Sequence, residues 1–288
     1  MSQATLALPQ GSIVERLDRA DYEYFRQVIF NLAGIALSDA KVELVQSRLR
    51  GRIAALGVAG FRGYREHLAA LPASAPEWQL FINLMTTNKT EWFREAEHFT
   101  YLMQSYIPRW QEKARRPLSI WCAACSSGEE AYTLSLLLRH HFGPEFEYQI
   151  TATDIDSNIL ARAANGVYPA ARIKAEVPQE YWEGGFSFGS GAIQDWVKVR
   201  RQVKVALEFH RHNLVELPYQ WQGKFDVIFC RNVLIYFAAD TVHAVTEGMY
   251  ACAAPSALLF IGHSESLQNR ASSWRYVRPS VYVRGELR

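Results

Sequence analysis

The chain is poor in cysteine, with Cys122, Cys125, Cys230 and Cys252 the four in 288 residues. Three of them sit in apolar, strand-like or helix-like runs. That fits reduced, buried thiols better than a disulfide scaffold, and a cytoplasmic protein is expected. Cys122-Ala-Ala-Cys125 has the spacing of a zinc or redox half-site, but no second pair completes four ligands. The histidines His140, His141, His210 and His212 lack acids at ligand spacing, so no metal is expected. Excess charge is missing too. Lys and Arg number 31 against 29 Asp and Glu, a net +2. That is too little to argue for nucleic acid or a membrane surface as partner. No apolar run approaches the ~20 residues that span a bilayer. Met1 to Leu17 has no basic start ahead of a long apolar run, so no signal peptide is expected. There is no internal repeat. A complete G-x-G-x-x-G is also absent, which weighs against a nicotinamide oxidoreductase. What remains, at 49% hydrophobic residues, is enough to build a sizeable core in two domains or one large one.

The most informative stretch runs from Ile120 to Leu138. A short apolar strand over 118–122 enters five small residues, Ala123 to Ser127, and reaches Gly128. A helix over 128–142 comes next, with Leu134, Leu137 and Leu138 on one face. Strand, small-residue turn and helix open a nucleotide-binding α/β fold, and small side chains let a ligand approach the backbone. A second strand over 147–153 ends in Asp154, where such folds place a carboxylate on ribose hydroxyls. Asp156 is assigned as the N-cap of a helix over 157–165.

The rest of the chain sorts around that unit. Residues 1–20 read as a flexible tail. Apolar spacing predicts helices over 21–33, from Ser38 or Asp39 to Leu56, around Phe61 to Leu71, and from Pro76 to Met85. Residues 21–86 therefore form a small all-α domain. On its second helix Lys41, Arg48 and Arg52 share one edge, a candidate docking stripe for an acidic partner as well as an ordinary solvated face. Residues 87–97 are a polar connector, and 98–288 continue the α/β pattern. Phe225 to Cys230 is a core strand. A helix over 240–253, a strand from Ala257 to Ile261 and a hairpin from Trp274 to Arg284 close the chain. Alternating elements imply a mostly parallel sheet. Residues 184–205, glycine-rich and then alternating, predict a small antiparallel insertion whose edge is either inert or open to a partner strand.

Five blocks carry a family resemblance. Thr86-Thr-Asn88-Lys-Thr90-Glu-Trp-Phe-Arg94-Glu, Trp121-Cys-Ala-Ala-Cys-Ser-Ser-Gly-Glu-Glu130, Ala152-Thr-Asp154-Ile-Asp, Phe225-Asp-Val-Ile-Phe-Cys-Arg231-Asn232-Val-Leu-Ile-Tyr236-Phe and Gly262-His-Ser-Glu265 stand in order. Together they resemble the chemotaxis receptor methyltransferases, the CheR family, over roughly residues 20–285. The resemblance implies a Rossmann-like, S-adenosylmethionine-dependent methyltransferase domain behind the all-α domain. It implies methyl transfer to glutamates on chemoreceptor cytoplasmic helices, giving glutamyl methyl esters and S-adenosylhomocysteine. Carried over by position, cofactor contacts fall on Asn88, Thr90, Arg94, Glu130, Asp154, Asn213, Leu214, Arg231 and Asn232. Arg94 and Tyr236 fall beside the methyl group. The family's proline after the paired glutamates is Ala131 here. In some members the insertion grips a receptor tail peptide, and here it does not align cleanly. A monomer without membrane insertion is expected.

The residue types suit that chemistry. A glutamate carboxylate ordinarily titrates at about 4.3 and is ionised at neutral pH, so no general base is required. Arg94 could hold either the target carboxylate or the cofactor's own. Asn232-Val-Leu-Ile differs from the Asn/Asp-Pro-Pro-aromatic run of many nucleic-acid amino-methyltransferases. A hydrolase reading of Gly262-His263-Ser264-Glu265-Ser266 fails because the elbow's last glycine is Ser266. A non-catalytic module that binds the cofactor and signals remains the alternative.

Overall fold

The computed structural model describes residues 16–114, 116–221, 225–268 and 271–286. Of the tail expected over residues 1–20, the first fifteen lie outside the described residues. Its end belongs to the fold: Leu17 is buried, and its N–H donates to Gln46 Oε1 at 2.8 Å. Helix α1 starts at Arg19 because Asp18 caps it, accepting from the Asp21 N–H at 2.7 Å.

Four helices form the first layer: α1 (Arg19–Ala33), α2 (Val42–Leu56), α3 (Gly60–Ala69) and α4 (Pro76–Met85). The apolar stripes converge on one core, with Tyr22, Phe25, Ile29, Val45, Leu49, Tyr64, Leu68 and Phe81 buried together. Helix α1 ends at Gly34, which is left-handed at φ 70° and lies against Val215 and Thr241.

The second unit is a seven-stranded sheet in the order β6-β2-β1-β7-β8-β10-β9. Strands β1 (Leu118–Ala123), β2 (Tyr148–Asp154), β6 (Leu207–Arg211), β7 (Phe225–Cys230) and β8 (Ala253–Ile261) run parallel. The hairpin of β9 (Trp274–Arg278) and β10 (Val281–Arg284) adds the antiparallel edge. The central strands β1, β7 and β8 are apolar at most positions because both faces are covered. In β1, Leu118, Ile120 and Cys122 join one core, and Trp121 and Ala123 join the other. β8 divides alike, with Leu258 and Phe260 on one side and Ala257, Leu259 and Ile261 on the other. Each such side chain, fully buried, contributes about 1.5–3 kcal/mol if large.

The helices of this unit are α5 (Ala96–Tyr101), α6 (Ile107–Lys113), α7 (Glu129–Phe142), α8 (Ser157–Asn165), α9 (Ala170–Glu176), the single turns α10 (Trp182–Gly185) and α11 (Arg201–Lys204), and α12 (Ala239–Cys252). A π-helical stretch, Leu102–Tyr106, joins α5 to α6.

The antiparallel insertion differs in extent from the reading over 184–205. Its three-stranded sheet, β3-β5-β4, begins with β3 (Val167–Pro169) and uses β4 (Phe186–Phe188) and β5 (Trp196–Val199). Val203 to Val205 is not strand. Val203 and Lys204 belong to the turn α11, and Val205 is its C-cap, with Val203 buried and Val205 exposed. So short an alternation fits one helical turn as well as a strand.

Candidate functional site

Strand order reverses beside β1, which pairs with β2 on one side and β7 on the other. In open α/β sheets ligands bind at the carboxyl ends of the strands at this point. A cleft of about 610 Å³ opens there and extends to the all-α domain. That domain is held over it by specific bonds. Gln79 donates to the Ile155 carbonyl at 2.8 Å, Asn83 to Ser157 Oγ at 3.0 Å, and the Ala36 N–H to the Tyr236 carbonyl at 2.8 Å.

The floor is the turn after β1. Ala124 and Ser126 are left-handed at φ 62° and 51°, and Gly128 lies at φ 95°. A Cβ on Gly128 would stand 3.0 Å from Ala163 Cβ and 3.2 Å from Tyr132, so only glycine fits. The turn is pinned by Asp154. Its carboxylate accepts from the Ser126 N–H at 2.8 Å and the Asp156 N–H at 2.9 Å. Asp154 is 6% exposed and lines the cleft. Burial pushes its carboxyl up to about 6 against the pull of those donors. Asp156 caps α8 through Asn158 and Ile159. Its other oxygen takes Thr86 Oγ1 at 2.9 Å and Asn88 Nδ2 at 2.6 Å, and so fixes the connector.

All the residues carried over as cofactor or methyl-site positions line the cleft: Asn88, Thr90, Arg94, Glu130, Asp154, Asn213, Leu214, Arg231, Asn232 and Tyr236. Their polar ends divide into two groups. Arg94 is half-buried, donates to the Lys89 carbonyl at 3.4 Å, and has no carboxylate partner among the described residues. Tyr236 has a hydroxyl without a hydrogen bond among them. Both line the cleft, Tyr236 within electrostatic reach of Arg48. Arg231, expected as a cofactor contact, lines the cleft and is also bound to protein. It is buried, pairs with Glu95 at 2.9 Å and Glu130 at 3.1 Å, donates to the Arg94 carbonyl, and stacks over Phe99 and Phe229. Asn232 sits at φ 59° and donates to Glu95 at 3.2 Å. Asn213 gives its amide to the Leu32 carbonyl at 2.7 Å and to Glu216 at 3.1 Å. These three line the wall of the cleft and carry protein bonds of their own.

The basic stripe on α2 is split. Lys41 is exposed and lines the cleft. Arg48 also lines it, with its guanidinium on the Met85 carbonyl and on Thr87 Oγ1 at 2.8 Å. Arg52 is bound to Glu77 inside the all-α domain, where Tyr64 also donates to Glu77 at 2.8 Å. Arg52 is therefore paired within the bundle, and its partner, on α4, is invisible to a stripe drawn on α2 alone.

Glu95 is the residue that sequence reasoning passed over. It is left-handed at φ 56° and accepts from Arg231, from Asn232 and from the His263 N–H at 3.2 Å. Burial pushes its carboxyl up, but Arg231 and these donors bring it below the usual carboxylate range. Glu130, with less help, is pushed above it by burial. Glu265 is a second such residue. Its carboxylate takes the Asn232, Ile235 and Gly262 N–H groups and so holds the loop that carries Asn232 to Tyr236. Arg172 is a third, joining Glu129 at 2.9 Å, Glu176 and the Thr90 carbonyl at 3.2 Å.

Known proteins share this arrangement in sequence. Residues 88–283 match the family model described as CheR methyltransferase, SAM binding domain, and residues 20–86 match CheR methyltransferase, all-alpha domain. The chain belongs to the CheR methyltransferase family. It is 37% identical to the chemotaxis protein methyltransferase of Salmonella typhimurium, over 97% of this chain and 98% of that one. It is 37% identical to chemotaxis protein methyltransferase 2 of Pseudomonas aeruginosa, over 92% of each chain, and 36% identical to the Escherichia coli protein over 97% and 98%. As a CheR methyltransferase it uses S-adenosylmethionine. The site fits that cofactor: the cleft has ligand size, the turn of small residues admits close approach, and Asp154 offers a desolvated carboxylate.

Proposed function

We propose that this chain transfers a methyl group from S-adenosylmethionine to glutamate side chains on the cytoplasmic helices of a chemoreceptor, in the adaptation step of chemotaxis signalling. The single observation that carries this is the pairing of a built cofactor cleft with an unpaired Arg94 at its wall. Asp154 would hold the ribose hydroxyls, and Glu130 the cofactor's amino group. The cofactor supplies an electrophilic methyl on a sulfonium. The acceptor carboxylate is already ionised, so the protein has to orient it and exclude water. Arg94 is suited to the orientation, with a planar fork and no competing acid. Tyr236 is suited to a hydrogen bond on the acceptor. No histidine is needed as base.

An acidic receptor segment entering the cleft from the all-α side meets Lys41 and Arg48. This supports docking there, with Arg52 serving the helix bundle instead. The insertion offers a second contact. β4 is an edge strand, and Phe188 is 40% and Trp196 49% exposed beside it. An edge with exposed aromatics suits a receptor tail peptide added as a strand. Among the described residues no helix is long and apolar enough to cross a membrane.

The test is methyl transfer to a purified receptor cytoplasmic fragment, with the modified residues mapped by mass spectrometry. Methyl groups on glutamate carboxylates, lost with Arg94→Ala, are expected. Methyl groups on amine nitrogens, or cofactor binding without any transfer across a panel of receptors, would turn the reading toward another substrate or toward the sensing module.

A further inference from the structure

Methyl transfer leaves the two histidines beside Glu95 without a task. Glu95, His98 and His263 each place a ligand atom within 4.8 Å of the others. Glu95 is the left-handed N-cap of α5 and His98 lies in its first turn, and the turn brings the two side chains together. His98 is 2% exposed, yet neither ring nitrogen has a hydrogen-bond partner among the described residues. A buried polar side chain without a partner costs stability unless something satisfies it. Its ring faces His263 edge-on at 5.0 Å, and its Nδ1 lies 3.5 Å from Glu95 Oε2. His263 is half-exposed, with Nε2 4.0 Å from Glu95 Oε2 and 4.0 Å from the exposed Glu97.

We propose that Glu95, His98 and His263 form a site for a divalent transition metal ion of the zinc type, with Glu97 as a further ligand, and that its occupancy opposes cofactor binding. The donor set is the imidazole and carboxylate set such ions take. A tetrahedral site with ligands at about 2.0–2.1 Å places donor atoms about 3.3 Å apart. The Glu95–His98 pair stands near that, and the half-exposed His263 closes the rest. Arg231 shares Glu95, so the local charge matters. Glu95 and the exposed Glu97 supply the negative charge at the cluster, against the cations Arg231 and Arg278 that also act on His98. The coupling follows from the same atoms. Glu95 Oε2 is the oxygen that holds Arg231, and an ion on it competes with the clamp that shapes the cofactor wall. The proposal stands on these residues and does not depend on which protein receives the methyl.

Zinc titrated into the full chain, followed by calorimetry, tests it. One saturable site is expected in the wild type. His263→Ala, at a half-exposed position that keeps the fold, should weaken it by about a hundredfold or more, since even outer partners of metal ligands are worth 10–100-fold. A His140→Ala, His141→Ala double variant removes the neighbouring histidine pair at the end of α7 and should leave the site intact. Cobalt should show visible absorption of a four- or five-coordinate centre in the wild type and not in His263→Ala. Saturating zinc should weaken S-adenosylhomocysteine about tenfold in the wild type only. No saturable zinc site, or equal zinc affinity in wild type and His263→Ala, overturns the site. Unchanged S-adenosylhomocysteine affinity with zinc bound overturns the coupling.

Discussion

Replacing Asp154 by asparagine should weaken the cofactor and hardly change the fold. The carboxyl is pushed up from the ordinary aspartate value of about 3.9 to about 6, chiefly by burial. Two units correspond to about 3 kcal/mol of cost carried by the apo protein at neutral pH. As for any acid whose folded pKa is raised, the cost is absent below the unfolded value, grows with pH, and is complete above about 6. Asparagine removes it. Asparagine also keeps one acceptor for the Ser126 and Asp156 N–H groups and leaves the other short, at about 1–3 kcal/mol. The two nearly cancel, so apo stability in urea should stay within about 1 kcal/mol of wild type. Cofactor binding has no such compensation. Losing one charged acceptor for a ribose hydroxyl costs about 2–3 kcal/mol, or ~30–150-fold in Kd for S-adenosylhomocysteine. Calorimetry and urea melts on the same sample decide it. A variant destabilised by more than about 2 kcal/mol with unchanged affinity would show that Asp154 serves the turn and not the cofactor.

The same geometry sets four more outcomes. In wild type, cofactor affinity should fall as pH drops through about 6, while the contribution of Asp154 to apo stability improves over the same range; binding isotherms between pH 5 and 8 separate the two. Arg231→Gln strands Glu95 and Glu130 without their buried cation and should cost about 3–5 kcal/mol in denaturant unfolding. Arg94→Ala removes a side chain with no ion pair among the described residues, so its melting should be unchanged within about 0.5 kcal/mol while kcat/KM falls about a hundredfold, read by stopped-time methylation. Gly262→Ala places a Cβ 2.3 Å from Asn232 Nδ2 and 2.9 Å from its backbone nitrogen, an overpacking worth about 1–3 kcal/mol in urea, with weakened cofactor binding.

The fold was largely legible because its strands and helices advertise themselves. Phe225 to Cys230 is apolar at nearly every position since both faces are covered, and α8 carries its own cap in Asp156. The insertion was harder. β3 is three residues ending in Pro169, too short for any period, and Val203 to Val205 alternates yet forms part of a turn. At the site, the motifs located the cleft but not the direction of each side chain. Arg231 and Asn213 reach partners 136 and 181 residues away, and no local pattern records that. Glu95 and Glu265 were inside quoted motifs. Their importance lies in accepting several donors at once, which only the folded backbone reveals. On α2 the pairing of Arg52 with Glu77 of α4 is hidden for the same reason.

The most direct measurement uses methyl-labelled S-adenosylmethionine, purified protein and receptor-bearing membranes, with label followed into protein and then released by mild base. The account predicts label that leaves as methanol, is abolished by Arg94→Ala, and is restored to Asp154→Asn by raising the cofactor concentration. Base-stable label, or base-labile label undiminished in both variants, would contradict carboxyl methylation by this cleft.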